Sequence, residues 1–147
     1  MDYELAYRYG VPSRLDEYAG LALSTSGGST PEGEAACPYF FSGFMERPDV
    51  VAAGLLVAAR VARTRFYVPP GMVVAPGGGL TRIGMLDPVV TNTAEGLRFE
   101  SFSVCCGVYA RLDVEASALD AAHCAVGVTN VDVNQPLRAA LASLRAG

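Results

Sequence analysis

From Leu97 to Val114 the chain reads as β structure throughout. Eighteen residues would extend about 60 Å at roughly 3.3 Å each, too long for a domain of this size, so the pattern predicts a hairpin. With Cys105-Cys106 at the turn and Val104 opposite Gly107, one face pairs Leu97 with Val114, Phe99 with Leu112, Ser101 with Ala110 and Ser103 with Val108. The other face pairs Arg98 with Asp113, Glu100 with Arg111 and Phe102 with Tyr109. Apolar pairs and opposite charges sort onto opposite faces, as cross-strand pairing favours. A shift of one residue destroys the sorting, so the register is specified. The turn is the poorest part of this reading, because two-residue hairpin turns favour Asn-Gly or Gly-x over Cys-Cys.

Two helices flank this hairpin. Pro48 suits a first helical position and Asp49 the positive end of a helix dipole. Val50, Val51, Leu55, Val57, Ala58 and Val61 follow with few polar interruptions, which predicts a buried helix over about 48–63. Arg60, Arg63 and Arg65 then suit its negative end. A C-terminal helix over about 135–146 has Asn134 or Gln135 at its cap and Pro136 at its start, with Leu137, Leu141 and Leu144 on one face.

Elsewhere, Leu21–Thr25 predicts a short strand and 26–33 a loop. Asp87–Thr91 predicts a strand, 92–96 a turn, Glu115–Ala122 a short helix, and 126–133 a strand broken near Thr129-Asn130. Residues 1–18 fit an edge strand or arm. The stretch Pro69 to Thr81 fits an internal surface loop. Together these predict an α+β fold in one domain of 1–147, an antiparallel sheet around the 97–114 hairpin with both helices packed on one face.

Composition narrows function by exclusion. Half of the 147 residues are apolar and 18% are charged, which opposes disorder. All eleven basic residues are arginine. A net charge of −4 and a pI near 4.9 oppose a general nucleic-acid binder, which would carry a basic face. No apolar run reaches the length of a membrane span, and Met1-Asp2-Tyr3-Glu4 lacks the charged and apolar regions of a signal peptide. The expected location is the cytoplasm, where thiols stay reduced. Cys37, Cys105, Cys106 and Cys124 are therefore expected to be buried small hydrophobes in place of disulfides, except that at least one of Cys105 and Cys106 should be partly exposed if the two form the hairpin turn.

Candidate chemistry is sparse. Adjacent cysteines chelate poorly, because neighbouring strand side chains point to opposite faces. Neither a metal nor any cofactor is expected. A catalytic thiol at Cys105 or Cys106 would need a base, and His123 is the only histidine. No Gly-x-Ser-x-Gly elbow is present. Gly77-Gly78-Gly79 is not followed by a phosphate-binding pattern. Pro38-Tyr39-Phe40-Phe41-Ser42-Gly43-Phe44 packs four aromatics into six residues of a chain that has no tryptophan.

Four segments carry a resemblance. They are 38–44; Asp87-Pro88-Val89-Val90-Thr91; Arg98-Phe99-Glu100-Ser101-Phe102-Ser103 running into 105–113; and Thr129-Asn130-Val131-Asp132-Val133-Asn134. In that order, over most of the chain, they resemble the N-terminal region of bacterial SWIM zinc finger family proteins. The finger that names the family uses a Cys-x-Cys pair followed by a distant Cys-x-His, and this sequence has neither. Its zinc and any nucleic-acid role therefore do not carry over. The resemblance implies a regulatory or complex-forming role, for the non-finger region alone or for a standalone relative.

The expected function is a non-enzymatic, protein-binding accessory domain. Candidate binding residues are Tyr39, Phe40, Phe41, Phe44, Cys105, Cys106 and Asn130. The alternatives are a cysteine-dependent enzyme using Cys105 or Cys106 with His123, and a nucleic-acid-associated module.

Overall fold

A computed structural model of the chain describes residues 9–16, 18–64 and 87–144. The segments 1–8 and 65–86 lie outside the described residues, and with them the first part of the 1–18 arm or edge strand and the whole of the Pro69–Thr81 loop; the rest of 1–18 contains the strand Arg14–Asp16. The fold is α+β. Six antiparallel strands form one sheet in the order β4 (Gly33–Ala35), β3 (Thr25–Thr30), β10 (Gly127–Val131), β6 (Val89–Thr93), β7 (Gly96–Phe102) and β8 (Tyr109–Glu115). Two further pairs stand apart from it: β1 (Arg14–Asp16) with β2 (Gly20–Ala22), and β5 (Phe41–Met45) with β9 (Leu119–Cys124).

The hairpin register is the one that alternation demands. Leu97 pairs with Val114, Arg98 with Asp113, Phe99 with Leu112, Glu100 with Arg111, Ser101 with Ala110 and Phe102 with Tyr109. Leu97, Phe99 and Val114 are buried, whereas Arg111 and Asp113 are exposed. The charges arrange themselves differently from simple cross-strand partners. Arg98 does bond Asp113 at 2.9 Å, but Arg111 also turns along its own strand to Asp113, and Glu100 accepts from the Tyr109 hydroxyl. The hairpin forms one edge of the sheet, not its middle, because β3, β10 and β6 all extend the sheet on the β7 side.

The two-residue Cys-Cys turn is replaced by a four-residue connection, Val104–Gly107. Ser103 and Val108 close it, with the Ser103 N–H donating to the Val108 carbonyl at 2.8 Å. The Cys106 N–H returns to the Ser103 carbonyl, and Cys106 takes φ 59°. A two-residue primed turn requires positive φ at both central positions for its commonest form; the longer loop confines that conformation to one cysteine.

The helix α1 (Pro48–Arg63) spans the predicted range and crosses the inner face of β7 and β8. Its buried row is Val51, Ala52, Leu55, Ala58, Ala59, Val61 and Ala62, and Val50 and Val57 remain exposed. The shorter α2 (Gln135–Ser143) packs against α1. Its cap is Asn134, whose Oδ1 accepts from the Leu137 N–H at 2.9 Å. Leu137 and Leu141 are buried, but Leu144 is extended at the C-cap and exposed, so the apolar face is two leucines long.

Three local expectations give way to tertiary pairing. Residues 26–33, rich in loop-formers, build β3 and the start of β4, because Ser26, Gly28 and Thr129 fit where two backbones run close. A Cβ on Gly28 would lie 2.3 Å from the Val128 carbonyl. Asn92 and Thr93 belong to β6, and the turn contracts to Ala94-Glu95. Glu115–Ala122 forms a 3-10 turn at Ala116–Ala118 and then strand β9. Its alanines favour a helix in isolation, but pairing with β5 satisfies this segment's backbone and buries Leu119 against the core. The expected break near Thr129-Asn130 is real: the pairing of β10 with β3 shifts between Thr129 and Val131.

Candidate functional site

The aromatic segment and β9 together make a two-stranded ribbon lying over the inner face of the sheet. Phe41 pairs with Cys124, Ser42 with His123, then after a register shift Gly43 with Ala121, Phe44 with Asp120 and Met45 with Leu119. Gly43 is required at that shift, since a Cβ there would sit 2.1 Å from the Asp120 carbonyl oxygen. The ribbon is two-sided. Phe40 is a core residue 5% exposed, its ring against Gly127 of β10, and Phe41, Met45 and Leu119 pack partly on the same core. Phe44 is 80% exposed and Tyr39 65% exposed. Of the four aromatics expected to bind, therefore, Tyr39 and Phe44 face outward, while Phe40 belongs to the interior because it fills the space above a glycine.

His123 stacks on Tyr39, ring centroids 4.9 Å apart and planes 13° from parallel, and its Nε2 lies 3.1 Å from the Tyr39 carbonyl oxygen. The stack limits the rotamers of an exposed tyrosine, so part of the entropy of immobilising it is lost before any contact.

Asn92 ties the ribbon to the sheet, a role no sequence signal announced, because Asn-Thr before Ala-Glu-Gly reads as a turn. The side chain is 1% exposed, and its Nδ2 donates to the carbonyls of Phe40 at 3.1 Å and Ala125 at 2.9 Å, with the Cys124 Sγ at 3.3 Å. Turning the amide over would aim oxygen at two carbonyl oxygens, so the orientation is dictated by its acceptors. Its Oδ1 meets no donor among the described residues. Replacing Asn92 by alanine is expected to cost about 2–3 kcal/mol, from lost bonds and a poorly satisfied Ala125 carbonyl. Urea denaturation measures the loss, and hydrogen exchange should show faster exchange in residues 119–124 than in β7.

The remaining candidates lie elsewhere. Cys105 is half-buried in the β7–β8 loop, its Sγ 3.3 Å from the Ser103 hydroxyl, and Cys106 is exposed. Cys37 and Cys124 are exposed as well, so none of the four is a buried core thiol: Cys105 and Cys106 lie in the β7–β8 loop and Cys124 at the end of β9. Asn92 holds the 123–125 segment at the Leu97 end of β7, whereas Cys105 follows Ser103, six residues along. That separation is about 20 Å, so the structure does not bring His123 to Cys105 or Cys106. Asn130 is half-buried on the outer sheet face, its Nδ2 3.4 Å from the Asp87 carbonyl.

The outer face of the sheet is polar around Arg98, Arg111 and Asp113, which line a shallow depression with Glu95 and Thr91. Hydrogen bonds from Arg111 and then Arg98 hold the Asp113 carboxyl below its ordinary pKa, and a hydrogen bond to Glu100 pushes the Tyr109 phenol up. Among the described residues, no three His, Cys, Asp or Glu side chains converge as a metal-ligand group, and no helix is long and apolar enough to cross a membrane.

No protein-family model, curated protein or solved structure matches this chain.

Proposed function

We propose that this chain is a protein-binding accessory domain, non-enzymatic, and related to the non-finger region of SWIM zinc finger family proteins. The observation that carries the reading is the outward presentation of Phe44 and Tyr39 on a ribbon clamped from below by Asn92. Large aromatics on a rigid frame are the residues from which interface hot spots are built, and an exposed phenylalanine is otherwise a solubility cost. The family relationship rests on the four segments of the resemblance; one of them, 38–44, overlaps all but the last residue of this ribbon's first strand.

The test uses the purified chain as bait in lysate, beside the double variant Tyr39→Ser with Phe44→Ser. Both side chains are exposed, so the variant should melt within about 2 °C of the parent. A protein held by the parent and lost by the variant, then reconstituted from pure components with affinity lowered at least tenfold, supports the reading. Identical capture by both forms overturns it, as does turnover of a substrate by the pure chain.

A further inference from the structure

We propose that β8 is the two-fold interface of a symmetric homodimer, in which two copies of this strand pair antiparallel about Leu112 and join their six-stranded sheets into one. The surface involves neither Tyr39 nor Phe44 and does not depend on the ribbon reading.

β8 ends the sheet and, among the described residues, has no neighbour on its outer side. It is seven residues long, pairs regularly with β7, and contains no proline or bulge, two of the devices that blunt an edge; the charges it carries are Arg111, Asp113 and Glu115. The phase of its hydrogen bonds follows from two contacts, Ser103 N–H to Val108 carbonyl and Val131 N–H to Pro88 carbonyl. Alternation along an antiparallel ladder then directs the backbone groups of Ala110, Leu112 and Val114 to β7. Those of Tyr109, Arg111 and Asp113 point outward.

The strand is self-complementary. Read about Leu112, the strand Tyr109-Ala110-Arg111-Leu112-Asp113-Val114-Glu115 sets Arg111 against Asp113 of the second copy, and the reverse. Tyr109 meets Glu115, Ala110 meets Val114, and Leu112 meets itself. These pairs keep polar residues on the outer face and apolar ones on the inner face, and the Arg111–Asp113 pairs are the ones whose backbone groups point at each other. Centring on Arg111 or on Asp113 would oppose like charges, so the charges select one register.

Val50, Gly54, Val57 and Val61 share one flank of α1 at 3.6 residues per turn. Gly54 lies directly on Leu112 of β8, where a Cβ would be 2.6 Å from Cδ2. This flank therefore overhangs the free edge, and it leaves Val50 46% and Val57 58% exposed. Arg60 and Arg63 lie on the other flank, beside Arg138 of α2. Joining the sheets brings the two α1 helices side by side, and the valines cover each other.

Light scattering and sedimentation of the full chain are expected to give a species of twice 15.4 kDa. Val57→Glu alters an exposed side chain and should leave the circular dichroism spectrum unchanged while raising the dimer Kd at least tenfold. Arg111→Asp and Asp113→Arg should each weaken their own homodimer, because symmetry repeats the like-charge contact. Mixed one to one, they should form a heterodimer in which both pairs are opposite in sign, and native mass spectrometry should find it favoured at least tenfold over either homodimer. A monomer at concentrations on the order of 0.2 mM overturns the proposal. So does a dimer indifferent to Val57→Glu, or a mixture without preference for the heterodimer.

Discussion

Leu55→Ala is expected to cost about 3–5 kcal/mol, a large loss for one core truncation. Leu55 is fully buried where α1 meets the sheet, and among the described residues no larger side chain is completely enclosed. Truncation removes its transfer free energy and leaves a cavity between a helix and a sheet, neither of which can close the gap without moving the other. For a chain of this length the melting temperature should fall by about 10 °C or more. Alanine is the better helix former, so intrinsic propensity acts in the opposite direction and the loss is a packing effect. Arg60→Ala, exposed on the flank of α1 away from β8, is the control and should change stability by less than about 0.5 kcal/mol. Equal melting temperatures for the two variants would mean that α1 does not pack as described.

Gly96→Ala should cost about 3 kcal/mol or more, for two separable reasons. Gly96 follows the Ala94-Glu95 turn at φ +136°, a conformation that side chains rarely adopt, and a Cβ there would sit 2.0 Å from the Val114 carbonyl oxygen. The obstacle is backbone of β8, which cannot move aside without breaking the Gly96–Glu115 and Leu97–Val114 pairs. Gly33→Ala provides the comparison. Its φ is +122°, yet nothing lies within 4 Å of the added methyl. It carries conformational strain without the clash and should lose about 1–2 kcal/mol. Thermal denaturation followed by circular dichroism measures both, and a Gly33 variant as damaged as the Gly96 variant would refute the distinction.

The part of the fold that local pattern determines is the part where neighbours in sequence are also neighbours in space. The 97–114 hairpin could be registered from its own alternation, because its two strands carry both members of every pair. The limits of α1 followed from Pro48, Asp49 and the arginines of its last turn, all local capping chemistry. The candidate site was legible only in part. Four adjacent aromatics flagged the 39–44 segment, but which of them point outward depends on Gly127 giving Phe40 room, and Gly127 is more than eighty residues away.

Long-range pairing decided the rest. Residues 26–33 read as a loop because serine, threonine and glycine favour turns, yet those small side chains are what permits β3 to lie close to β10. Glu115–Ala122 reads as a short helix, yet from Leu119 onward the chain is a strand because β5 offers a backbone partner. Asn92 reads as a turn residue and becomes the buried clamp beneath the ribbon, because two carbonyls from distant segments converge on its amide. In each case the local preference is worth tenths of a kilocalorie per residue. The tertiary alternative satisfies buried backbone groups at about 1 kcal/mol or more each, and it prevails.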